Sequence, residues 1–523
     1  MTIGKSIYKL RTDAKLSQEQ FAAVFEVSQQ SVQKWESDHA APSLNKLIQI
    51  SKYFGISLDA LVLGNDNRIV EEMKKTAVIK PQYENLHDWE FYSSNLMTEY
   101  DQSIEEGLDI KKYRDVFYAV SKLPKNEIKK KFGDVLFEIV KDAPSQKEYS
   151  YVEPSDLETI KALRKAHSYK KQGMASIEDK IRGAWFGRIC GCMLGKSVEG
   201  IHSDELIPFL KETDNFPMHR YILCSDLNDE IIKKYTFPFG GREYADTVDG
   251  MPADDDTNYT VLYQEIIEKY GKDFTPFDVS RVWLDKQRKN SYCTAERVAF
   301  CNFIKGYVPP ESAIYKNPYR EWIGAQIRAD YFGYINPGKP ETAADMAWRD
   351  ASISHIKNGI YGEMFVSAML AVAAETDGIR DIILGGLAQI PHTSRLYEGI
   401  MFILSSFENG LSHKDCLKAI GEKYDEHTSH GWCHTISNAM IVVMSLLYGG
   451  GDYGRSICMA VEAGFDTDCN GATVGSVLGM AKGYACIDEY WLKPIKDTLH
   501  TSIFGVGTVK ISDRIKMTLE HIG

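Results

Sequence analysis

The sequence predicts an all-α protein in three parts: a five-helix N-terminal domain over residues 1–66, a helical connector over 67–175, and a large helical bundle over 176–523. Three observations predict it. Residues 1–64 break into short helical patterns, each punctuated by a capping residue. Between prolines 81, 124, 144 and 154, segments such as IEEGLDIKKYRDVFYAVSKL are amphipathic at the helical period. From Ile177 onward small residues recur at close helical spacing, and strand-like alternation is rare.

In the first part, Ile7 and Leu10 start an apolar stripe, and Ser17 caps a second helix with Gln20 three residues on, as in a capping box. That helix carries Phe21, Ala22 and Phe25. Ser28 caps a third helix whose inward residues are Val32 and Trp35, leaving Gln29, Gln30, Ser31, Gln33 and Lys34 outward. Leu44, Leu47, Ile50 and Phe54, then Leu58 and Leu61, mark two more helices. An exposed helix rich in Gln and Lys suits the DNA major groove, because Gln pairs bidentately with adenine and Lys reaches guanine or phosphate.

The order LSQEQFAAVFEVSQQSVQKWES…PSLNKLIQISKYFGISLDALV resembles the Cro/repressor-type (XRE) helix-turn-helix across residues 3–64. The resemblance implies a buried Arg11–Glu36 pair, and double-stranded DNA as partner, faced by Gln18, Gln29, Gln30, Ser31, Gln33 and Lys34. It also implies a dimer that reads two half-sites. Glu26 stands where the family usually has Gly, and a left-handed non-Gly residue there costs roughly 1–2 kcal/mol.

The net charge of −12 argues against nonspecific coating of nucleic acid. Residues 1–64 hold seven Lys/Arg against six Asp/Glu, so the acidity belongs to the rest of the chain. Ten cysteines without a CxxC pair read as reduced residues of a cytoplasmic protein. With no run of 18 apolar residues and no signal peptide, no membrane partner is expected. The connector shows no catalytic constellation and reads as a spacer with a surface suited to dimerisation.

In the third part, Gly183, Gly187, Gly191 and Gly195 recur every four residues on one helical face, a helix-packing device, with Glu199 just past its end. Two acidic motifs follow, Asp254-Asp255-Asp256-Thr257 and Asp466-Thr467-Asp468, each beside apolar, helix-compatible sequence. Each alone also reads as a helix N-cap. Together they read as a cation site, because clustered carboxylates against a core repel one another unless a cation sits among them. Hard oxygen ligands suit Mg²⁺ or Mn²⁺ rather than zinc, and two such clusters could hold two ions and activate water.

The segments GRICGCMLGKSVEG, ADDDTNYT, ASISHIKNGIYGEMF, WCHTISNA and GFDTDCNGATVGSVLGMAKG look like the ADP-ribosylglycohydrolase family, of the dinitrogenase-reductase-activating type, in the family's order over about 177–523. The resemblance implies an all-α bundle with two Mg²⁺ ions in a cleft, holding the ribose of ADP-ribose and orienting a water. Carried over, Asp255, Asp256, Asp466 and Asp468 match metal-binding aspartates, and Asp254 stands where many members have a ligating Thr or Ser. Glu199 matches the catalytic or gating glutamate, so Glu199 and Asp256 are the catalytic candidates. His355 matches a loop near the ribose, with Asn358 and Gly359 beside it as ligand-binding candidates, although a histidine there also suits a loop cap. Two departures stand out: Cys192 replaces a common Asp, and Cys469 replaces a Thr or Ser, both with poor Mg²⁺ ligands. His430 and His434 read as packing residues, as do Trp348, Tyr361 and Phe465. The leading reading is an ADP-ribosylhydrolase acting on an ADP-ribosylated protein or small molecule and fused to a DNA reader. The alternative is a regulator that senses ADP-ribose or a related nucleotide without turnover.

Overall fold

The computed structural model describes residues 2–64, 81–171 and 176–523, and the expected connector's residues 67–80 and 172–175 lie outside the described residues. The chain divides into two compact units, Met1–Gln82 and Tyr83–Gly523. Almost all regular structure is helical; the two-stranded antiparallel sheet of Thr498–His500 and Thr508–Lys510 is the one sheet among the described residues.

The described residues of the smaller unit form five helices: Ile3–Asp13, Gln18–Val24, Gln29–Glu36, Leu44–Phe54 and Leu58–Leu63. Ser17 and Gln20 form the capping box, and the Ser28 side chain accepts from the Ser31 amide. Ile7, Phe21, Phe25, Val32, Trp35 and Ile50 close over one apolar core. Arg11 grips Glu36 at 2.5 and 3.1 Å, tying the first helix to the third. Glu26 takes the left-handed backbone, with φ of 52°.

In the larger unit the helix Ile177–Lys196 packs antiparallel on Thr467–Lys482. Gly183 faces Gly479, Gly187 faces Gly475, and Gly191 faces Gly471, so closely that an added Cβ would strike the opposing carbonyl oxygen at each. Gly195 meets the backbone of Thr467 and Asp468. Glycine spaced every four residues on both partners therefore brings the two backbones into contact. The register sets the C-terminal end of the first helix, with Lys196 and Glu199, against the N-terminal end of the second, with Asp466 and Asp468.

Residues 83–171 pack on this body through buried ion pairs rather than as a free spacer. Arg320 donates to Glu99 at 2.8 Å and to Glu106 at 2.5 Å, and Lys357 also reaches Glu106. Arg395 bridges Glu153 at 2.9 Å and Glu321 at 2.7 Å, and Gln102 donates to Glu321. Arg395 and His434 hold the buried Glu321 carboxyl well below its usual range, outweighing the opposite push of burial. Trp348 and Tyr361 also belong to this joint, donating to the carbonyls of Ser155 and Pro154. Arg395→Ala strands two buried carboxylates, so unfolding stability should drop by about 3–5 kcal/mol. A urea midpoint within experimental error of wild type would refute that role.

Candidate active site

Asp254 is the N-cap of the helix Asp255–Tyr270, and Asp466 is the N-cap of Thr467–Lys482. Both acidic motifs thus lie at helix N-termini, where the helix dipole favours negative charge. The glycine contact gathers them. Ligand atoms of Cys192, Asp254, Asp256 and Asp468 lie within 4.8 Å of one another, as do those of Asp466, Asp468 and Cys469, so Asp468 belongs to both groups. Asp254, Asp256, Asp466 and Asp468 are all buried, and Asp255 is half-buried.

Two cations from the glycine helix face this cluster. Arg188, wholly buried, donates to Asp256 Oδ1 at 3.0 Å, Asp330 at 2.8 Å, Thr260 Oγ1 at 3.0 Å and the Ile327 carbonyl. Lys196 Nζ lies 2.9 Å from Asp254 Oδ2. Arg188, Cys192 and Lys196 each follow a packing glycine by one residue, so they share the face next to the glycine stripe. Carboxylates still outnumber cations. Burial and neighbouring aspartates push the carboxyls of Asp255, Asp256 and Asp468 well above their ordinary range.

The donor set fits a divalent cation on a specific observation: Asp256 Oδ2 and Asp468 Oδ1 are buried without a hydrogen-bond partner. A buried carboxylate oxygen without a donor is costly, and a hard cation among such oxygens removes the cost. Cys192 and Cys469 point their thiols into the same space, where burial first and the aspartates second keep them protonated. Glu199 is exposed to solvent just past the end of the glycine helix. The surrounding protein, then the like charge of Asp466 and Asp254, pushes its carboxyl up to about 7. Asn438 braces the second motif, its Oδ1 accepting from the Asp466 amide at 3.2 Å and from Asn470 at 2.8 Å.

The proposed ligand loop is placed differently from the aspartates. Asn358 donates its side-chain amide to Glu153 and Glu321 at 2.8 Å each and accepts from the Leu396 amide, so the protein satisfies it fully. Gly359 abuts the Arg320 carbonyl. His355 is buried, its Nδ1 against Ser354 Oγ at 2.8 Å, and burial and Arg328 drive its pKa well down. Only His355 Nε2 lacks a partner among these groups. Of these contacts, that of Asn358 with Glu153 belongs to the joint with residues 83–171.

A second cluster, Glu105, His430 and His434, also brings ligand atoms within 4.8 Å. Tautomer logic argues against a metal there. Trp322 Nε1 donates to His430 Nδ1 and the Ile436 amide donates to His434 Nδ1, each at 3.1 Å. Both Nδ1 atoms must then be bare, so each neutral ring carries its proton on Nε2. A metal-binding histidine has the reverse arrangement, with the remote N–H donating outward. Here the Nε2 atoms lie near carboxylates without a hydrogen bond, His430 at 3.2 Å from Glu105 and His434 at 3.7 Å from Glu105 and 3.8 Å from Glu321.

On the smaller unit, Gln29, Gln30, Gln33 and Lys34 are exposed along the third helix. Ser31 is half-buried and bonded to Ser28, and Gln18 gives its amide to Glu36 at 2.7 Å. Those two side chains are therefore engaged within the domain.

An all-α body with a buried carboxylate cluster and a helical unit that presents one polar helix are the arrangement of a hydrolase domain joined to a helix-turn-helix reader. The chain belongs to the ADP-ribosylglycohydrolase family, whose sequence pattern matches residues 174–517. The helix-turn-helix pattern matches residues 7–61, and this domain is of the XRE type. The HTH-type transcriptional activator BcrR of Enterococcus faecalis is 31% identical over 87 residues, 17% of this chain and 43% of that protein, so the chain spans less than half the length of this relative. An uncharacterized protein of Archaeoglobus fulgidus is 23% identical over 324 residues, 61% of this chain and 93% of its own. A solved structure titled ADP-ribosylglycohydrolase-related protein complex is 16% identical with a TM-score of 0.39, covering 66% of this chain and 98% of that one. Among the described residues no helix is long and apolar enough to cross a membrane.

Proposed function

We propose that the larger unit is a Mg²⁺-dependent ADP-ribosylhydrolase that cleaves the glycosidic bond of an ADP-ribosylated protein or small molecule. Its smaller unit supplies sequence-specific binding to double-stranded DNA, as a dimer on two half-sites, in the cytoplasm. The observation that carries the reading is the pair of unpartnered buried oxygens, Asp256 Oδ2 and Asp468 Oδ1, inside a carboxylate cluster. Asp254, Asp255, Asp256, Asp466 and Asp468 would hold two Mg²⁺ ions, or Mn²⁺. When bound, such ions supply Lewis-acid polarisation of oxygen ligands and a water of lowered pKa.

The chain's own residues do the rest. Arg188 fixes Asp256 by one oxygen, which leaves the other turned inward. Asn438 fixes the backbone at Asp466. Glu199 would take the proton of the water that adds to the anomeric carbon and return it to the acceptor that departs as the glycosidic bond breaks, through an oxocarbenium-like state. Glu199→Gln should therefore lower turnover of an ADP-ribosylarginine substrate by about 10²–10⁴-fold while ADP-ribose affinity stays within a few-fold. Wild-type turnover in that variant would remove Glu199 from the chemistry.

A second reading has one specific observation in its favour. The protonated thiols of Cys192 and Cys469 occupy donor positions that a soft sulfur fills poorly for Mg²⁺. In that reading the larger unit binds ADP-ribose without cleaving it and reports to the DNA reader. Product analysis separates the two: released ADP-ribose supports the enzyme, and binding without release supports the sensor.

On the DNA side, Gln29→Ala and Gln33→Ala should each cost about 1–3 kcal/mol of operator discrimination without altering hydrolysis. Unchanged affinity for the selected operator would mean that another surface reads the bases.

A further inference from the structure

We infer that Lys196 is a tethered cation that competes with a divalent ion for the Asp254 end of the site, so that the two ion positions differ in affinity. The inference rests on the divalent-cation reading above.

Asp254 differs from its neighbours in having both carboxylate oxygens occupied by the protein. Oδ1 accepts from the Asp256 amide at 3.0 Å, and Oδ2 takes Lys196 Nζ at 2.9 Å. Asp256 and Asp468, by contrast, each keep one buried oxygen with no partner. Those two are nine-tenths buried or more and sit in the same cluster as Asp254. The cluster thus offers open ligands at Asp256 and Asp468 and a closed one at Asp254.

The two resident cations are held very differently. Arg188 is locked by Asp256, Asp330, Thr260 and the Ile327 carbonyl, and its side chain is inaccessible. Lys196 has Asp254 as its ion-pair partner, and its side chain keeps 15% exposure, a route to solvent. Lysine is a compact point charge on a flexible stem, so it can swing outward where an arginine fork cannot. An ion held by Asp466 and Asp468 can load beside the lysine. An ion that takes Asp254 Oδ2 must first displace it. The sequence places this competitor one residue after Gly195, on the face that already carries Arg188 and Cys192.

The test is Mn²⁺ binding to the full chain, followed by calorimetry and by loss of the free-ion electron paramagnetic resonance signal. Wild type should bind one ion tightly and one weakly. Lys196→Met should raise the weak affinity by about tenfold or more and leave the tight one within about twofold. Lys196→Arg, which keeps the charge, should keep the weak position weak. If Lys196→Met does not fold, Lys196→Gln decides, since it retains a donor to Asp254 without the charge. Isotherms unchanged by loss of the charge, or weakened at both positions, would overturn the competitor role while leaving the metal centre intact. No Mn²⁺ binding by any of these proteins would overturn the metal centre, and the inference with it.

Discussion

Asp256→Ala and Asp466→Ala will each abolish divalent-cation binding and lower turnover by on the order of 10³-fold or more, yet they will move stability in opposite directions. Asp256 is paired with wholly buried Arg188, so its removal leaves a buried guanidinium short of a partner, at a cost of about 3–5 kcal/mol. Asp466 is buried, and burial first and then the charge of Asp254 push its carboxyl up against hydrogen bonds with Asp468 and Cys469, with no lysine or arginine paired to it among the described residues. Its removal relieves repulsion, and the metal-free variant should melt at or above the wild-type temperature. Thermal melts in chelator, set beside Mn²⁺ titrations, measure both effects. A stable, cation-binding Asp466→Ala protein would exclude this residue as a ligand.

The second large effect is expected at Gly191. Its added methyl would meet the Gly471 carbonyl, and backbone cannot step aside as a side-chain tip can. Gly191→Ala should destabilise the larger unit by about 1–3 kcal/mol, with Gly191→Val worse because a branched side chain adds bulk in the same place. Activity should suffer beyond the loss of folded protein, since the same contact sets Lys196 and Glu199 against Asp466 and Asp468. Denaturant midpoints report the first effect, and cation affinity of the remaining folded fraction reports the second. A Gly191→Ala protein with both unchanged would mean that the helices tolerate separation.

Much of this was legible in the sequence because it is local. The Ser17–Gln20 capping box, the inward Val32 and Trp35, the left-handed Glu26 and the two aspartate N-caps all follow from residues a few positions apart. The Arg11–Glu36 pair came from resemblance, and the structure shows it. What stayed hidden is non-local. Arg320 and Arg395 find Glu99, Glu106 and Glu153 more than 200 positions away, and no periodicity announces such pairs. Asn358 looked like a ligand residue because its neighbours matched a motif, whereas its side chain is fully used in that joint. Gln18 was expected to face DNA, but Glu36 takes its amide. Arg188 and Lys196 were readable in principle, each one step past a glycine of the stripe. A charge in a glycine-rich helix nevertheless reads, by composition alone, as a solvated edge.

The joint around Arg320 and Arg395 also bears on how the protein can be cut. The family pattern begins at residue 174, yet Glu99 and Glu106, which pair with Arg320, and Glu153, which shares Arg395 with Glu321, lie before it. A fragment trimmed to the family boundary would carry both guanidiniums without those partners and bare the apolar surface that residues 83–171 cover. It should aggregate on expression, whereas a fragment starting at Tyr83 should behave as a self-sufficient body. For recombination or transplantation of this hydrolase, the inheritable piece is therefore about ninety residues longer than homology alone would suggest.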